Sequence, residues 1–203
     1  MTTVGLFGGT FDPVHYGHLR TVEAARQELG LETVLLLPNP RPPHKDTEQL
    51  TPYPLRKAML QLALAEFPRL ELATYEEDAT GPGYTTDTVR RVLASLPPGP
   101  RELWLIVGAD SLIELPQWKD PESLVRDAHV AVLPRPGFDL SQARPEYLAL
   151  TRVLQTPLQE ISATEIRRRL RIGADVSALL PAPVVAYIRR HGLYGAKSTC
   201  SDT

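Results

Sequence analysis

The stretch Gly8-Gly9-Thr10-Phe11-Asp12-Pro13-Val14-His15-Tyr16-Gly17-His18 stands between a short apolar run, Thr3–Phe7, and a helical pattern over His18–Leu29. Paired glycines let backbone amides come close to a ligand. Two histidines flank a glycine just where a helix begins, and a helix N-terminus attracts phosphate through its free N–H groups and its dipole. Protonatable imidazoles would add donors. Two plainer readings stand beside this one: a zinc pair, and a turn whose histidines are incidental. A zinc site needs third and fourth ligands, and no cysteine pair or further histidine spacing provides them. Neither the dinucleotide-binding Gly-x-Gly-x-x-Gly nor the Gly-x-x-x-x-Gly-Lys-Ser/Thr loop occurs, so the stretch reads as a phosphate site of another kind.

Outward from it, strands and helices alternate. Leu19, Val22, Ala25 and Leu29 share one helical face, and Gly30 is a stop signal. Thr33–Leu37 reads as a buried strand, Pro54–Phe67 as a helix with Leu55, Met59, Leu62 and Ala63 inward, and Leu70–Ala73 as extended. A helix over Thr86–Leu96 precedes the clearest strand, Glu102–Val107. Ala128–Leu133 is a further strand, with a weaker one at Arg152–Leu154, and helices at Ala163–Leu170 and Val184–His191 close the chain. Near-continuous apolar strands alternating with helices imply an α/β fold, a Rossmann-like doubly wound parallel sheet with helices on both faces and a C-terminal helical segment. Residues 1–195 read as one domain without internal repeats, and 196–203 as a polar, disordered tail.

In such sheets ligands sit beyond the carboxyl ends of the strands, at the switch point in strand order. The loops after the strands are therefore the places to search. After the second strand comes Pro38-Asn39-Pro40-Arg41-Pro42-Pro43-His44-Lys45, where basic groups sit on a proline-stiffened loop that costs little entropy to order. A solvated basic loop is the plainer reading. Gly108-Ala109-Asp110-Ser111 follows the Glu102–Val107 strand, with Pro116-Gln117-Trp118-Lys119-Asp120 beyond it. A small residue followed by a carboxylate can hold ribose hydroxyls or the amino edge of a base; Asp110 could equally be a helix N-cap. Trp118 offers a π-face to a planar ring, or serves as a hydrophobic anchor of its loop.

Near the end stands Ile161-Ser162-Ala163-Thr164-Glu165-Ile166-Arg167-Arg168-Arg169. Ser162 with Glu165 fits a capping box. A helix start bearing Ser, Thr and then Arg one turn along suits polyphosphate. Arg167, Arg168, Arg169 and Arg171 cannot all face one site, since successive helical residues point about 100° apart. Arg167 is expected inward, and the others solvated or paired with acids.

Composition narrows the classes. Of 203 residues, 42% are hydrophobic and 23% charged, which excludes a largely disordered chain. A net charge of −2 argues against a general nucleic-acid binder. No apolar run is long enough to span a bilayer, no secretory signal is visible, and the single cysteine, Cys200, rules out an internal disulfide framework. A cytoplasmic protein is expected. Prolines number 20, about twice the usual share, and many fall in the loops after strands. Of the few lysines, Lys45 and Lys119 lie in two of the motifs quoted above.

Taken whole, Gly-Gly-Thr-Phe-Asp-Pro-Val-His-x-Gly-His resembles the signature of the His-x-Gly-His nucleotidyltransferase superfamily. With the Pro-Pro-His-Lys loop, Tyr84-Thr85-Thr86-Asp87-Thr88, Gly108-Ala109-Asp110-Ser111-Leu112, Trp118-Lys119, Arg135-Pro136-Gly137, Ile161–Arg167 and His191-Gly192-Leu193-Tyr194, the chain is similar to the bacterial nicotinate-nucleotide adenylyltransferases from about Val4 to Gly195. Gly83 stands where that family would lead one to expect a serine.

The resemblance implies that nicotinate mononucleotide and ATP give nicotinate adenine dinucleotide and pyrophosphate. It implies catalytic roles for His15, His18, Lys45 and Arg167. ATP would meet Gly8, Gly9, Thr10, Phe11, His15, His18, Gly108, Asp110, Ser162, Thr164 and Arg167. Nicotinate mononucleotide would meet Asn39, His44, Lys45, Thr85, Thr86, Trp118 and Arg135, with Trp118 on the pyridine ring and Thr85 and Thr86 receiving its carboxylate. Mg²⁺ would come with the ATP phosphates, with no metal-ligating side chains. Small-molecule substrates are then the expected partners, with no nucleic acid and no membrane, and a homo-oligomer stays open. A related adenylyltransferase using nicotinamide mononucleotide or phosphopantetheine is the alternative within the class. A non-catalytic nucleotide-binding protein is the alternative outside it.

Overall fold

The computed structural model describes residues 1–42, 50–77, 83–135, 137–157 and 161–196. Among these, six strands form one sheet in the order β3-β2-β1-β4-β5-β6, and every neighbouring pair is parallel. They are β1 (Thr2–Gly9), β2 (Thr33–Pro38), β3 (Leu70–Leu72), β4 (Arg101–Gly108), β5 (His129–Leu133) and β6 (Thr151–Val153). The expected doubly wound α/β fold is what the chain adopts.

Strand residues alternate between the two faces, as the pleat requires. Leu103, Leu105 and Val107 of β4 enter one buried cluster and Ile106 the other. The cluster around Ile106 is closed by α1 (Tyr16–Leu29), α2 (Tyr53–Leu64), α7 (Ala163–Arg171) and α8 (Ala182–Arg190). The opposite cluster is covered by α3 (Thr85–Ser95), α4 (Ala109–Glu114), α5 (Pro121–Asp127) and α6 (Pro145–Leu148). Helix α1 buries Leu19, Val22 and Ala25 and stops at Gly30, whose φ of 69° is the left-handed cap that glycine favours. None of the described helices is long and apolar enough to cross a membrane.

Three readings are corrected. In α2 the buried face is Arg56, Met59, Leu60 and Ala63, while Leu62 is exposed. The face is rotated because a buried arginine, which no apolar pattern registers, takes the core-facing position. The segment between β4 and β5 is helical rather than loop: α4 runs into a 3-10 turn, Leu115–Gln117, and then into α5. Asp120 caps α5 by accepting from the Ser123 N–H, with Pro121 at its first position. Finally, Gly108 and not Asp110 is the residue before α4, so Asp110 lies in the helix's first turn.

The winding runs outward from β1 in one direction to β2 and β3, and from β4 in the other to β5 and β6. The loops leaving β1 and β4 therefore diverge, and the crevice between them is the expected ligand position.

Candidate active site

The loop after β1 carries the geometry. Phe11 has a φ of 49°, and its ring is buried edge-on against His18, with centroids 5.2 Å apart. Asp12 is buried; its carboxylate accepts from the Tyr194 hydroxyl at 2.5 Å and from the Thr51 N–H at 3.3 Å. Its carbonyl accepts from Arg167 at 2.8 Å. The chain then enters α1 at His15, whose Nδ1 accepts from the backbone N–H of His18 at 3.3 Å.

That bond fixes the tautomer, because an accepting Nδ1 leaves the proton on Nε2. His15 is 4% exposed, and burial lowers its pKa to about 4. It is therefore a neutral N–H donor at neutral pH, which corrects the expectation of a protonatable imidazole at this position. The His15 and His18 rings stack with centroids 3.7 Å apart. The glycine between them has a steric reason. A Cβ on Gly17 would come within 2.8 Å of His15 Nδ1 and 3.1 Å of Ile161 Cβ. Any larger residue would displace the capping imidazole.

Two cavities flank this loop. The first, about 470 Å³, opens at the carboxyl ends of β1, β2 and β4, a size usual for a small-molecule site. Gly8, Gly9, Asn39, Thr85, Thr86, Gly108 and Trp118 all line it. Gly8, Gly9 and Gly108, assigned to ATP by resemblance, thus share a cavity with Trp118. Helix α3 starts here with no side-chain cap at Tyr84, so its first N–H groups are left for an anion. The Thr86 hydroxyl is already used, donating to the Lys119 carbonyl at 2.7 Å and fixing α3 to the Trp118 loop.

Glu76, to which the sequence drew no attention, also lines the first cavity. It accepts from the Thr88 hydroxyl at 2.9 Å, and burial pushes its pKa up. A Cβ on Gly83 would lie 3.0 Å from Glu76 Oε2, so the serine expected at that position would press on this carboxylate.

The second cavity, about 510 Å³, is lined by Thr10, Phe11, His18, Arg135, Thr164, Arg167 and Arg171, among others. Cations and hydroxyls dominate it. Arg135, assigned to nicotinate mononucleotide by resemblance, opens onto this side and pairs with Asp110 at 2.5 Å. Ser162 caps α7 by accepting from the Glu165 N–H at 3.2 Å. The Glu165 carboxylate does not complete a capping box. It binds Arg168 and Arg169 at 2.7–2.9 Å, and these guanidinium groups hold it at about 2.

Arg167 does face inward, and Arg168 and Arg169 are paired with acid as expected. Arg171, expected to be solvated or paired with an acid, instead reaches the same cavity one turn beyond Arg167, and the i, i+4 spacing was the available signal. His44 and Lys45 lie outside the described residues, as does the tail beyond Ala196. Thr10 lines both cavities.

A family model for cytidylyltransferase-like proteins matches residues 6–169. A Moorella thermoacetica protein named "probable nicotinate-nucleotide adenylyltransferase" is 41% identical over 199 residues, covering 94% of this chain and 91% of its own length. One of the same name from Herpetosiphon aurantiacus is 40% identical, over 96% of this chain and 99% of its own. Among solved structures, Plasmodium falciparum nicotinic acid mononucleotide adenylyltransferase complexed with NaAD superposes with a TM-score of 0.77 at 18% identity. It covers 96% of this chain and 98% of that one, a likeness of fold.

Proposed function

Since this chain belongs to the cytidylyltransferase-like family, and within it to the nicotinate-nucleotide adenylyltransferases, we propose how its cavities divide the two substrates of that reaction. The enzyme transfers the adenylyl group of ATP to nicotinate mononucleotide, giving nicotinate adenine dinucleotide and pyrophosphate, in NAD biosynthesis. The observation that carries the division is Thr10, which stands in the wall of both cavities.

In the first cavity Trp118 stacks on the pyridine ring. The first N–H groups of α3, at Thr85 and Thr86, receive its carboxylate, with Asn39 close by. An array of N–H donors favours an anion over a neutral amide. The basic loop with His44 and Lys45 serves the phosphate of this substrate. In the second cavity Thr164, at the start of the α7 helix that Ser162 caps, and the guanidinium groups of Arg167 and Arg171 hold the β- and γ-phosphates. Gly8, Gly9, Phe11, Gly108 and Asp110, the last tied to Arg135, frame the adenylyl moiety between them.

A phosphate oxygen of nicotinate mononucleotide attacks the α-phosphorus as the bond to the β-phosphate oxygen breaks, and pyrophosphate leaves. No protein nucleophile is needed; alignment and charge stabilisation carry the catalysis. His18, and neutral His15 through its Nε2–H, donate to α-phosphoryl oxygens as charge develops there. Among the described residues no cluster of three or more His, Cys, Asp or Glu is arranged to hold a metal, and the cationic donor set suits a metal arriving on the nucleotide. Mg²⁺ arriving with the ATP phosphates would supply further charge neutralisation beside Arg167 and Arg171 as pyrophosphate departs. Residues 1–195 act as one catalytic unit.

The test is product analysis by mass after incubation with Mg-ATP and nicotinate mononucleotide. Nicotinate adenine dinucleotide and pyrophosphate in equal amounts are expected, and absence of the dinucleotide refutes the reading.

A further inference from the structure

Arg56 is the largest fully buried side chain of the described core, at 1% exposure, and it forms no ion pair among the described residues. Its guanidinium instead donates to three carbonyls: Thr10 at 2.6 Å, Asn39 at 3.0 Å and Thr51 at 2.8 Å. These belong to three different segments. Thr10 lies in the loop after β1, Asn39 in the loop after β2, and Thr51 just before α2. The first two line the first cavity, and their loops are already joined by the Asn39 N–H on the Gly9 carbonyl at 2.9 Å.

Burying a guanidinium is costly, and although the nearby Asp12 carboxylate favours its charge, a fork committed to carbonyls of three segments makes little sense as packing alone. It makes sense as a device that holds three loops in one register. Arginine suits this because its planar fork serves several acceptors at once, which an ammonium on a flexible stem does not.

Tyr194 reaches the same loop from the far end of the chain. Its hydroxyl donates to Asp12 Oδ1, while the Thr51 N–H donates to Oδ2 of the same carboxylate. Burial and the neighbouring Asp12 raise the phenol's pKa far above the ordinary value, so it stays a donor at every working pH. Tyr194 itself holds a φ of 59°, unusual for a residue with a side chain, and its ring packs on the cluster that contains α2 and α8.

We propose that Arg56 and Tyr194 are positioning residues that together fix the backbone from Thr10 to Asp12, the seam between the two cavities, and so set the alignment of acceptor phosphate and α-phosphorus. Neither touches substrate; both act through the loop. This rests on the reading of the two cavities as the subsites of adenylyl transfer.

Arg56→Lys and Tyr194→Phe test it, the second leaving the ring and removing only the hydroxyl. Two readouts are needed on each folded variant. Amide exchange in a peptide spanning Gly8–Val14 is expected to speed up about tenfold, with β4 unchanged. With Mg-ATP and nicotinate mononucleotide, kcat is expected to fall about tenfold to a hundredfold with smaller changes in KM, because misalignment is felt in the reacting geometry. A merely structural role would lower Tm and leave kcat per folded molecule at the wild-type value. Wild-type exchange at Gly8–Val14 in the folded variants, or wild-type kcat, overturns the proposal. Should Arg56→Lys not fold, Tyr194→Phe alone decides. Exchange needs no substrate, so a wild-type enzyme that fails to form the dinucleotide would refute the reaction while the brace is still judged on exchange.

Discussion

The imidazole of His15 lies stacked on that of His18, with centroids 3.7 Å apart and 25° between the rings, while His15 Nδ1 caps the helix that carries His18. His15 is thereby a structural cap, and the donor role proposed for it falls to Nε2, the nitrogen the cap leaves protonated. The pair would repel if both rings were charged, and burial of His15 removes that possibility at neutral pH.

The depressed pKa of His15 makes stability depend on pH with a definite sign. In the unfolded chain the imidazole titrates near 6.5, and in the fold at about 4. Between these values the unfolded state binds more protons, so stability is fully present above pH 6.5 and is lost as pH falls toward 4. The contribution is on the order of 3 kcal/mol. Urea unfolding at pH 7.5 and 5.0 checks this against His15→Asn, which keeps a cap acceptor without the titration. The variant should lose less stability on acidification than the wild type; equal losses would contradict the assignment.

His18→Ala removes the donor proposed to serve the α-phosphoryl group, while Phe11 and His15 remain to hold the loop. A turnover loss on the order of a hundredfold is expected, with Tm little changed. Steady-state kinetics beside a thermal melt separate the two effects, and near-normal turnover would remove His18 from catalysis.

Trp118→Ala should raise KM for nicotinate mononucleotide by the worth of one stacked ring, about 1–3 kcal/mol or roughly fivefold to 150-fold. KM for ATP should stay within about twofold, because the contacts proposed for the adenylyl and phosphate groups lie on other residues. Equal effects on both substrates would argue that the tryptophan merely anchors its loop.

Arg171 and Arg168 make a matched pair on one helix. Both are exposed; Arg171 lines the cationic cavity, whereas Arg168 is bound to Glu165. Arg171→Ala should raise KM for ATP several-fold. Arg168→Ala should leave both kinetics and stability near wild type, as removal of an exposed ion pair does. ATP titrations of the two variants side by side make the comparison.

Much of this was legible in the chain because its signals are local. The apolar strands, the glycine stop after α1 and the serine cap of α7 depend on neighbours within a turn or two. The strand ends then pointed to the loops at Gly8–His18 and Gly108–Ser111. What stayed hidden depends on distant partners. Arg56 takes the inward position that the apolar pattern gave to Leu55, and serves carbonyls from other segments, the farthest 46 positions away. Glu76 carries no motif, and only the fold brings it beside Gly83. Arg135 lines the second cavity and pairs with Asp110, 25 residues upstream, a contact no local pattern states. The neutral state of His15 follows from burial, which no sequence pattern states.

The central claim is tested most directly by comparing kcat/KM for nicotinate mononucleotide, nicotinamide mononucleotide and phosphopantetheine under one fixed concentration of Mg-ATP. The N–H donors at the start of α3 beside Trp118 lead to a clear preference for the nicotinate form. An equal or greater kcat/KM for either of the other acceptors would contradict the account of the first cavity.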